Sequence, residues 1–286
     1  MAHPVCEKKV VRLIVWLNGL FRRPRVEGRG SPEAYSEWEY RWGQSLVREF
    51  LEPPGDLSGK KVLDIGCGLG GKTVAYGEAG AREVFGVDIS AEHAGASDRF
   101  AGSTDRVFRW GFFVGDAARL PVADAVFDTV VANDAMEHFS EPDRALGEMA
   151  RVTKQGGAIW LFFTPHFSPL GSHLYDYVYT PWCHLLFRRR HLEGAIRKVV
   201  GARFKEWSSR EVETKVANIM RSYDTDLNHM SIRRFRGIVA KTPGLAVTRE
   251  VLKPAKFSRL GVLTKFPAVR ELFTGTVICR LERARR

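Results

Sequence analysis

Short apolar runs alternate with longer amphipathic stretches through the middle of the chain. In one of these stretches the apolar positions recur at helical spacing, which predicts a helix from Asp143 to Thr153 that ends at Gly156 and Gly157. The runs rich in Val, Ile and Phe predict strands at Val62–Ile65, Val84–Val87, Phe112–Val114, Val126–Ala132 and Ala158–Thr164. Because strands that alternate with helices form βαβ units, we expect an α/β fold built on a parallel sheet.

This alternation stops after Pro165 and resumes later in the chain. Ring side chains are dense directly after Pro165, and two charge-rich helices are predicted to follow them. A helix at Ser231–Lys241 and strands at Ala246–Leu252 and Gly275–Leu281 then restore the earlier pattern. We therefore predict a helical lead (1–59), a ligand-binding core (60–165), a substrate cap inserted after strand five (166–229) and the completion of the core (230–286).

The run from Val62 to Gly71, VLDIGCGLGG, is the most informative motif in the chain. It consists of a buried strand that ends in a glycine-rich turn and opens a helix. Glycines allow the backbone to turn sharply there and to approach a ligand closely. Gly66, Gly68 and Gly71 also satisfy the G-x-G-x-x-G pattern of dinucleotide sites, so the turn alone does not choose between cofactors.

Polar residues follow each of the first four predicted strands. Asp64 precedes the glycine turn, where a carboxylate would attract a cationic ligand and repel a pyrophosphate. Asp88 ends the second strand, where the diol of a ribose would lie, although NAD enzymes share this acid. Asp116 and Ala117 follow the third strand and are suited to an adenine edge, and Asn133 closes the fourth. The set favours a nucleoside ligand that carries a positive charge.

These four blocks, in this order and spacing, resemble the class I methyltransferases of the type 11 group, which includes the ubiquinone and menaquinone methyltransferases. The run from Glu148 to Gly157, EMARVTKQGG, is similar to that group's helix and turn before strand five. The resemblance covers roughly 60–165 and extends weakly to 230–282. It implies a Rossmann-like seven-stranded sheet flanked by helices, and S-adenosyl-L-methionine as the cofactor. It does not cover the helical and aromatic cap that the pattern along the chain predicts after strand five.

The resemblance also implies which residues bind the cofactor. The glycine turn would line the methionine portion by backbone contact, and Asp64 would help to hold its amino group, through water. Asp88 would bind the ribose hydroxyls, Ile89 would pack on the adenine face, and Asn133 would close the pocket near the sulfonium. The full implied set is Asp64, Gly66, Cys67, Gly68, Asp88, Ile89, Asp116, Ala117 and Asn133.

The ring-rich segment indicates the class of methyl acceptor. Residues 162–187 contain eleven ring side chains, no basic residue and one acid, Asp176. Small-molecule sites are generally apolar, aromatic-lined concavities with a few placed polar groups. We expect a lipophilic or aromatic small molecule, with oxygen favoured as the acceptor atom. The alternative is that these rings only pack the insert against the sheet.

Histidines are the candidates for a general base, because their pKa suits proton transfer from a hydroxyl near neutrality. His138 follows strand four, and His166 follows strand five directly. We predict both as catalytic candidates, while a structural role is the alternative for each. His173 and His184 also lie in the ring-rich segment. No acidic residue stands at ligand spacing to the histidine pairs, so no metal site is expected.

Net charge is +11, and its distribution is uneven. Residues 60–165 hold 11 basic and 15 acidic side chains, whereas residues 188–286 hold 24 and 9. The basic excess is either a solvated surface or an attraction to a phosphate-bearing or membrane-borne partner. One alternative function is an RNA methyltransferase, but rings and arginines are segregated here rather than interleaved. The other is a methyltransferase that lies on an anionic membrane surface and acts on a lipid-soluble acceptor. The turn after strand four, Asn133 to Met136, also lacks the Pro-Pro-aromatic sequence that amine methyltransferases of this fold often carry.

The N-terminal apolar run, Val10 to Leu17, is interrupted by Arg12 and preceded by Lys8 and Lys9. This pattern favours an amphipathic helix, which packs on the core or lies on a membrane surface, over a signal peptide. No run of about 18 apolar residues exists that could span a bilayer. The 4 cysteines are far apart, which fits a reducing compartment. We predict a cytoplasmic protein, with peripheral contact at the inner membrane surface left open and the oligomeric state not indicated.

Overall fold

A computed structural model describes residues 4–21, 31–51, 55–103, 108–255 and 258–285, so parts of the predicted lead, 22–30 and 52–54, lie outside it. The strands are β1 (Lys61–Ile65), β2 (Glu83–Asp88), β3 (Arg109–Val114), β4 (Phe127–Asn133), β5 (Thr153–Phe163), β6 (Leu245–Pro254) and β7 (Thr274–Arg283). Among the described residues they form one seven-stranded sheet in the order β3-β2-β1-β4-β5-β7-β6. Strands β1 to β5 pair in parallel, and β7 runs antiparallel to β5. The predicted α/β fold is confirmed.

Helices connect the strands and precede them. They are α1 (Pro4–Leu20), α2 (Pro32–Leu46), α3 (Gly71–Glu78), α4 (Ala91–Gly102), α5 (Pro142–Val152), α6 (Cys183–Leu186), α7 (Arg189–Arg203), α8 (Ser209–Thr225), α9 (Ile232–Lys241) and α10 (Arg270–Phe273). A 3-10 helix spans Ser258–Lys265. No described helix is both long enough and apolar enough to cross a bilayer.

The chain divides into two compact units. The sheet unit comprises residues 26–163, 232–251 and 277–286, and the insert unit comprises residues 1–25, 164–231 and 252–276. The chain therefore leaves the sheet unit at the end of β5 and returns to it with α9.

The centre of the sheet is apolar because both of its faces are covered. Trp160 and Phe162 of β5 stack in the core, with ring centroids 5.9 Å apart. The Trp160 indole N–H donates to the Asp56 carboxylate at 2.8 Å. The Arg280 guanidinium donates to both oxygens of the same carboxylate, at 2.7 and 3.0 Å. This ion pair joins β7 to the segment that enters β1.

The predicted end of α5 is wrong. The helix ends at Val152 and β5 begins at once with Thr153, so Gly156 and Gly157 lie inside the strand rather than capping the helix. Thr153 pairs with Phe127, but the next pairing of β5 is Ala158 with Thr129, and Gly156 adopts a φ of +72° between them. The glycines therefore form a bulge that lets β5 start early beside β4.

The insert unit has an apolar core of its own. Side chains from α1, the ring-rich segment, α7 and α8 bury one another there. The members that are most deeply buried include Ile14, Val178, Leu192, Ile196, Val200 and Val216. Part of the ring-rich segment is thus used for packing, since Tyr177 and Phe187 pack against this core.

Candidate active site

The glycine turn after β1 adopts a conformation that side chains disfavour. Gly66, Gly68 and Gly70 have φ values of +72°, +56° and +79°, in the left-handed region. A Cβ atom on Gly66 would lie 2.8 Å from the Cβ of Ala135, and one on Gly70 would lie 2.7 Å from the Cβ of Ser97. The turn is also tied to β2, because the N–H of Gly66 donates to the Val87 carbonyl at 2.8 Å.

Asp88 links the turns that follow β1 and β2. The backbone N–H of Gly68 donates to one carboxylate oxygen at 3.0 Å, and the N–H of Ser90 donates to the other at 2.9 Å. His93 Nδ1 lies 3.2 Å from the same carboxylate. The carboxylate is therefore fixed at the sheet edge where parallel strands end. Ile89 beside it is 75% exposed, so its side chain is open to a ligand.

Asp64 is buried beneath the glycine turn. Its Oδ2 accepts a 2.6 Å hydrogen bond from the Thr73 hydroxyl, while Oδ1 is buried with no partner among the described residues. Burial raises the pKa of Asp64 to about 6, against the opposing effects of the Thr73 hydrogen bond and the charge of Lys72. A buried carboxylate oxygen with no partner is suited to a hydrogen-bond donor or a cation supplied by a ligand.

A second buried charge at this turn comes from the N-terminal lead. Glu39 of α2 pairs with Lys72 of α3 at 3.2 Å, and both side chains are buried. Glu39 Oε2 has no partner among the described residues, and Oε1 lies 3.4 Å from where a Cβ of Gly68 would stand. Burial alone would lower the pKa of Lys72, but the carboxylates of Glu39, Asp134 and Asp64 hold it above its usual value.

The sequence analysis missed Glu39 and Lys72. A signal for Glu39 was present, because the buried positions of α2 recur at helical spacing as Ser36, Glu39, Gly43 and Leu46. Two of these positions are small, which allows α2 to approach α3 closely. A Cβ on Gly43 would lie 2.8 Å from the Cβ of Ala75.

Asp116 and Ala117 follow β3 in a tight turn. Asp116 Oδ1 accepts from the N–H of Ala118 at 2.9 Å, and the N–H of Arg119 donates to the Asp116 carbonyl at 2.9 Å. The segment beyond the turn is held by Arg151, which donates to the carbonyls of Leu120 and Val122 at 3.1 and 2.7 Å and forms paired 2.7 Å contacts with Glu148. The EMARVTKQGG run thus positions the turn after β3.

Asn133 and His138 occupy different environments after β4. Asn133 is buried, and its Oδ1 has no partner among the described residues. Ala135, which meets Gly66, brings this segment against the glycine turn. His138 is exposed, and its backbone N–H donates to the Ala135 carbonyl at 2.9 Å.

His166 belongs to the insert unit, where it forms a cluster with two other histidines. Its ring centroid lies 5.1 Å from that of His184 and 4.5 Å from that of His229. His184 Nε2 donates to the His166 carbonyl at 2.7 Å. Burial, with the charges of His184 and His229, lowers the pKa of His166 to about 4, so its ring is neutral at pH 7. Its Nδ1 is buried and has no partner among the described residues.

The residues at the strand ends fit an adenosyl ligand that carries an amino acid. A left-handed glycine turn, a fixed carboxylate after β2 and an exposed apolar side chain next to it match a nucleoside. Buried carboxylate oxygens of Asp64 and Glu39 at the turn match an ammonium group, whereas a pyrophosphate would be repelled there.

Comparisons with known proteins agree with this chemistry. Residues 63–161 match the family model of a methyltransferase domain. Demethylmenaquinone methyltransferase of Renibacterium salmoninarum is 33% identical over 48% of this chain and 54% of its own length. Malonyl-[acyl-carrier protein] O-methyltransferase of Pectobacterium atrosepticum is 39% identical over 36% of this chain and 38% of its own length. Residues 63–161 form a class I methyltransferase domain of the S-adenosylmethionine-dependent type 11 group.

The similarity in fold to solved methyltransferase structures extends beyond residues 63–161. Magnesium protoporphyrin IX methyltransferase of Synechocystis PCC 6803, solved with bound SAH, has a TM-score of 0.52 and 19% identity over 97% of this chain and 100% of that chain. In contrast, the chain spans only about half or less of the length of the curated relatives above. Glu39 of the buried ion pair lies outside the matched methyltransferase domain, whereas Lys72 lies inside it.

Proposed function

We propose that the protein transfers a methyl group from S-adenosylmethionine to a small lipophilic or aromatic acceptor, preferentially at oxygen. The observation that carries the proposal is the arrangement of carboxylates around the glycine turn. Asp88 is fixed by the N–H groups of Gly68 and Ser90, and one buried oxygen of Asp64 has no partner among the described residues. The methyltransferase match of residues 63–161 supports the same cofactor.

In this proposal the protein acts mainly by positioning. When bound, S-adenosylmethionine supplies a methyl group that is already activated on a positively charged sulfur. The Asp88 carboxylate holds the ribose hydroxyls, and Ile89 covers the adenine face. The glycine turn lines the methionine portion, whose ammonium group is held by Asp64 and Glu39. Holding donor and acceptor aligned and dry is the main source of catalysis in such a displacement.

The acceptor class rests on residues 162–187. Their eleven ring side chains include some that pack the insert core, but Phe167 is exposed and His173 contacts Tyr175 with ring centroids 6.1 Å apart. The two curated relatives are named for a quinone precursor and for a carrier-bound acyl group. An apolar or aromatic metabolite fits the rings and the quinone precursor, whereas a malonyl group carries a carboxylate.

We further propose His166 as the base for a hydroxyl acceptor, with His138 as the second candidate. A neutral imidazole has a lone pair that accepts a proton, and Nδ1 of His166 has no partner among the described residues. Its lowered pKa makes it a weak base, so it would assist only an acceptor hydroxyl that is itself acidic, such as a phenol.

The RNA alternative loses support from the arginines that suggested it. Of the run Arg188 to Arg190, Arg189 pairs with Asp224 at 2.7 Å and Arg190 pairs with Glu7 at 2.8 Å. Arg236 likewise pairs with Glu250. Guanidinium groups already bound to carboxylates are less available to phosphates.

The free, buried state of Cys67, Cys183 and Cys279 supports the proposed reducing, cytoplasmic setting.

The experiment that tests the cofactor is calorimetric titration of the purified chain with S-adenosylmethionine, S-adenosylhomocysteine and NAD. We expect both adenosyl ligands to bind and NAD not to bind. Binding of NAD alone would overturn the proposal. Methylation of phenolic and aliphatic hydroxyl acceptors by the wild-type chain and by His166→Gln then tests the base, with unchanged cofactor affinity in the variant as the control.

A further inference from the structure

Helix α1 has two faces, and the inner one is held at several points within the insert unit. Ile14 is completely buried in the insert core. Asn18 forms two hydrogen bonds to the ring-rich segment, donating to the Tyr177 carbonyl at 2.6 Å and accepting from the Tyr179 N–H at 2.5 Å. Glu7 pairs with Arg190 at the start of α7. These polar contacts fix the rotation of α1 about its own axis.

The outer face of α1 is a stripe of exposed residues at helical spacing. Its members are Lys8, Lys9, Arg12, Leu13, Trp16, Gly19 and Leu20. The first half of the stripe is cationic and the second half is apolar, and none of its described positions is acidic. Leu13 is 46% exposed, and Trp16 and Leu20 are each 61% exposed.

Neither the helix dipole nor packing in the insert core explains why this face carries cations and exposed apolar side chains. The helix dipole favours cations at the C-terminal end of a helix, whereas these cations stand in the N-terminal half. Burial of the inner face is already achieved by Ile14 and its neighbours, and Trp16, which is largely exposed, is not among the residues of the insert core. Cations beside exposed Leu and Trp are the composition of helices that lie in a membrane interface.

We infer that the outer face of α1 docks the protein onto an anionic bilayer surface. Lys8, Lys9 and Arg12 meet the lipid phosphates, while Trp16 and Leu20 enter the headgroup region. Tryptophan is suited to this depth because its ring is largely apolar and its N–H is polar. The inference does not rest on the proposed methyl transfer.

The test is cosedimentation of the purified full chain with vesicles. One set contains phosphatidylcholine alone, and the other contains phosphatidylcholine mixed with phosphatidylglycerol. We expect binding to the mixed vesicles that weakens as salt is raised. Replacing Lys8, Lys9 and Arg12 by Gln should reduce the partition coefficient about 100-fold, roughly fivefold for each cation. Trp16→Ser should reduce it about tenfold.

Matched controls separate this face from charge and apolarity in general. Lys198, Lys205 and Arg210 are exposed in the same unit, and their replacement by Gln removes the same charge. Val247→Ser removes an exposed apolar side chain of β6. Both control variants should bind vesicles as the wild type does. Because the substituted side chains are exposed, all variants should keep the thermal unfolding midpoint of the wild type.

Three outcomes would overturn the inference. The first is a wild-type chain that does not sediment with anionic vesicles. The second is equal binding to both vesicle types, or equal loss in the α1 variants and their controls. The third is a dimer in solution that Trp16→Ser converts to a monomer without any vesicle binding, which would assign the face to a second copy of the chain. Each readout is independent of methyl transfer, so failure of the proposed function would not affect it.

Discussion

The sheet unit and the insert unit use charged side chains in opposite ways. At the glycine turn, Glu39 and Lys72 form a buried pair, and one carboxylate oxygen each of Glu39 and Asp64 lacks a partner among the described residues. In the insert unit, the pair between Glu7 and Arg190 has side chains 41% and 43% exposed. The first arrangement buries carboxylate oxygens for which the described residues supply no hydrogen-bond donor.

The difference teaches where a ligand is needed. Water forms hydrogen bonds with the exposed polar atoms of a surface ion pair. Such a pair therefore contributes little to the free energy of unfolding and implies no further partner. A buried carboxylate with an unused oxygen costs stability unless something else binds it. The sheet unit therefore contains buried charges whose placement is explained by the proposed ligand, whereas the exposed pair of Glu7 and Arg190 joins two helices of the insert unit.

Removing the buried anion should have the largest effect. Glu39→Gln leaves Lys72 buried beside weaker partners, and we expect the free energy of unfolding to fall by about 3 kcal/mol. Urea denaturation measures this loss. Glu37→Gln is the matched control, because Glu37 lies on the same helix in an exposed pair with Arg41 and should cost less than about 1 kcal/mol.

The double variant Glu39→Gln with Lys72→Met sharpens this result. Removing both charges should recover part of the loss, since no unpaired buried charge remains. Equal destabilisation by the Glu39 and Glu37 substitutions would show that the two kinds of ion pair do not differ.

The next largest effect should be seen in cofactor affinity. Asp88→Ala removes the proposed ribose contact together with the hydrogen bonds from Gly68 and Ser90, so we expect Kd for S-adenosylmethionine to rise about 100-fold. Isothermal titration calorimetry measures it. Asp98→Ala, an exposed aspartate on α4, is the control and should leave Kd unchanged. Unaltered binding by Asp88→Ala would place the ligand elsewhere.

The pH dependence of binding should report Asp64. Its pKa is raised to about 6, so the carboxylate is protonated below that value in the free protein. An ammonium group prefers the ionised form, and Kd should rise about tenfold from pH 7 to pH 5. Asp64→Asn should bind more weakly at pH 7 and lose this dependence. A wild-type profile that is flat over the same range would exclude Asp64 from the ammonium contact.

The raised pKa of Asp64 also makes the stability of the free protein depend on pH. The folded pKa of about 6 lies above the model value of 3.8, so the folded state binds more protons between these values. Stability from this group is therefore present below pH 4 and lost as pH rises through 6. Ligand binding should offset that loss, which a thermal scan with and without S-adenosylmethionine would measure.

The smallest effect should come from the insert unit. Glu7→Gln breaks an exposed ion pair, so the free energy of unfolding should change by less than about 1 kcal/mol and by less still at high salt. Urea denaturation at two salt concentrations measures both. A loss comparable with that of Glu39→Gln would mean that this surface pair is as important as the buried one.

Local features of the sequence predicted much of the fold. The strands were predictable because β-branched and aromatic runs are bounded by turn residues, and Asp64 and Asp88 stand directly at strand ends. The bulge at Gly156 could not be predicted from the sequence, because it depends on how β5 pairs with β4. A glycine pair after a helix has the same local pattern whether it caps the helix or interrupts the next strand.

The missed part of the candidate site is missed for a similar reason. Glu39 lies in a helix with two other carboxylates, Glu33 and Glu37, whose side chains are exposed, and only the packing of α2 on α3 makes it buried. The partnership of α1 with the segment after β5 is likewise a contact between distant parts of the chain. The cofactor residues inherited from the family resemblance, and the two histidines, stay predictions that the variants above can test.

The ion pair between Asp56 and Arg280 has a consequence for biosynthesis. During translation β5 emerges long before β7, the strand that covers its open edge. Until β7 is made, the apolar residues of β5 present unpaired backbone groups to any other strand nearby. Arg280, which pairs with Asp56, is synthesised only after the whole insert. Until then Asp56 lacks this partner, and the edge of the sheet beside Trp160 is uncovered. Nascent chains of this protein should therefore depend on chaperones up to the last strand, and truncation before β7 should lead to aggregation.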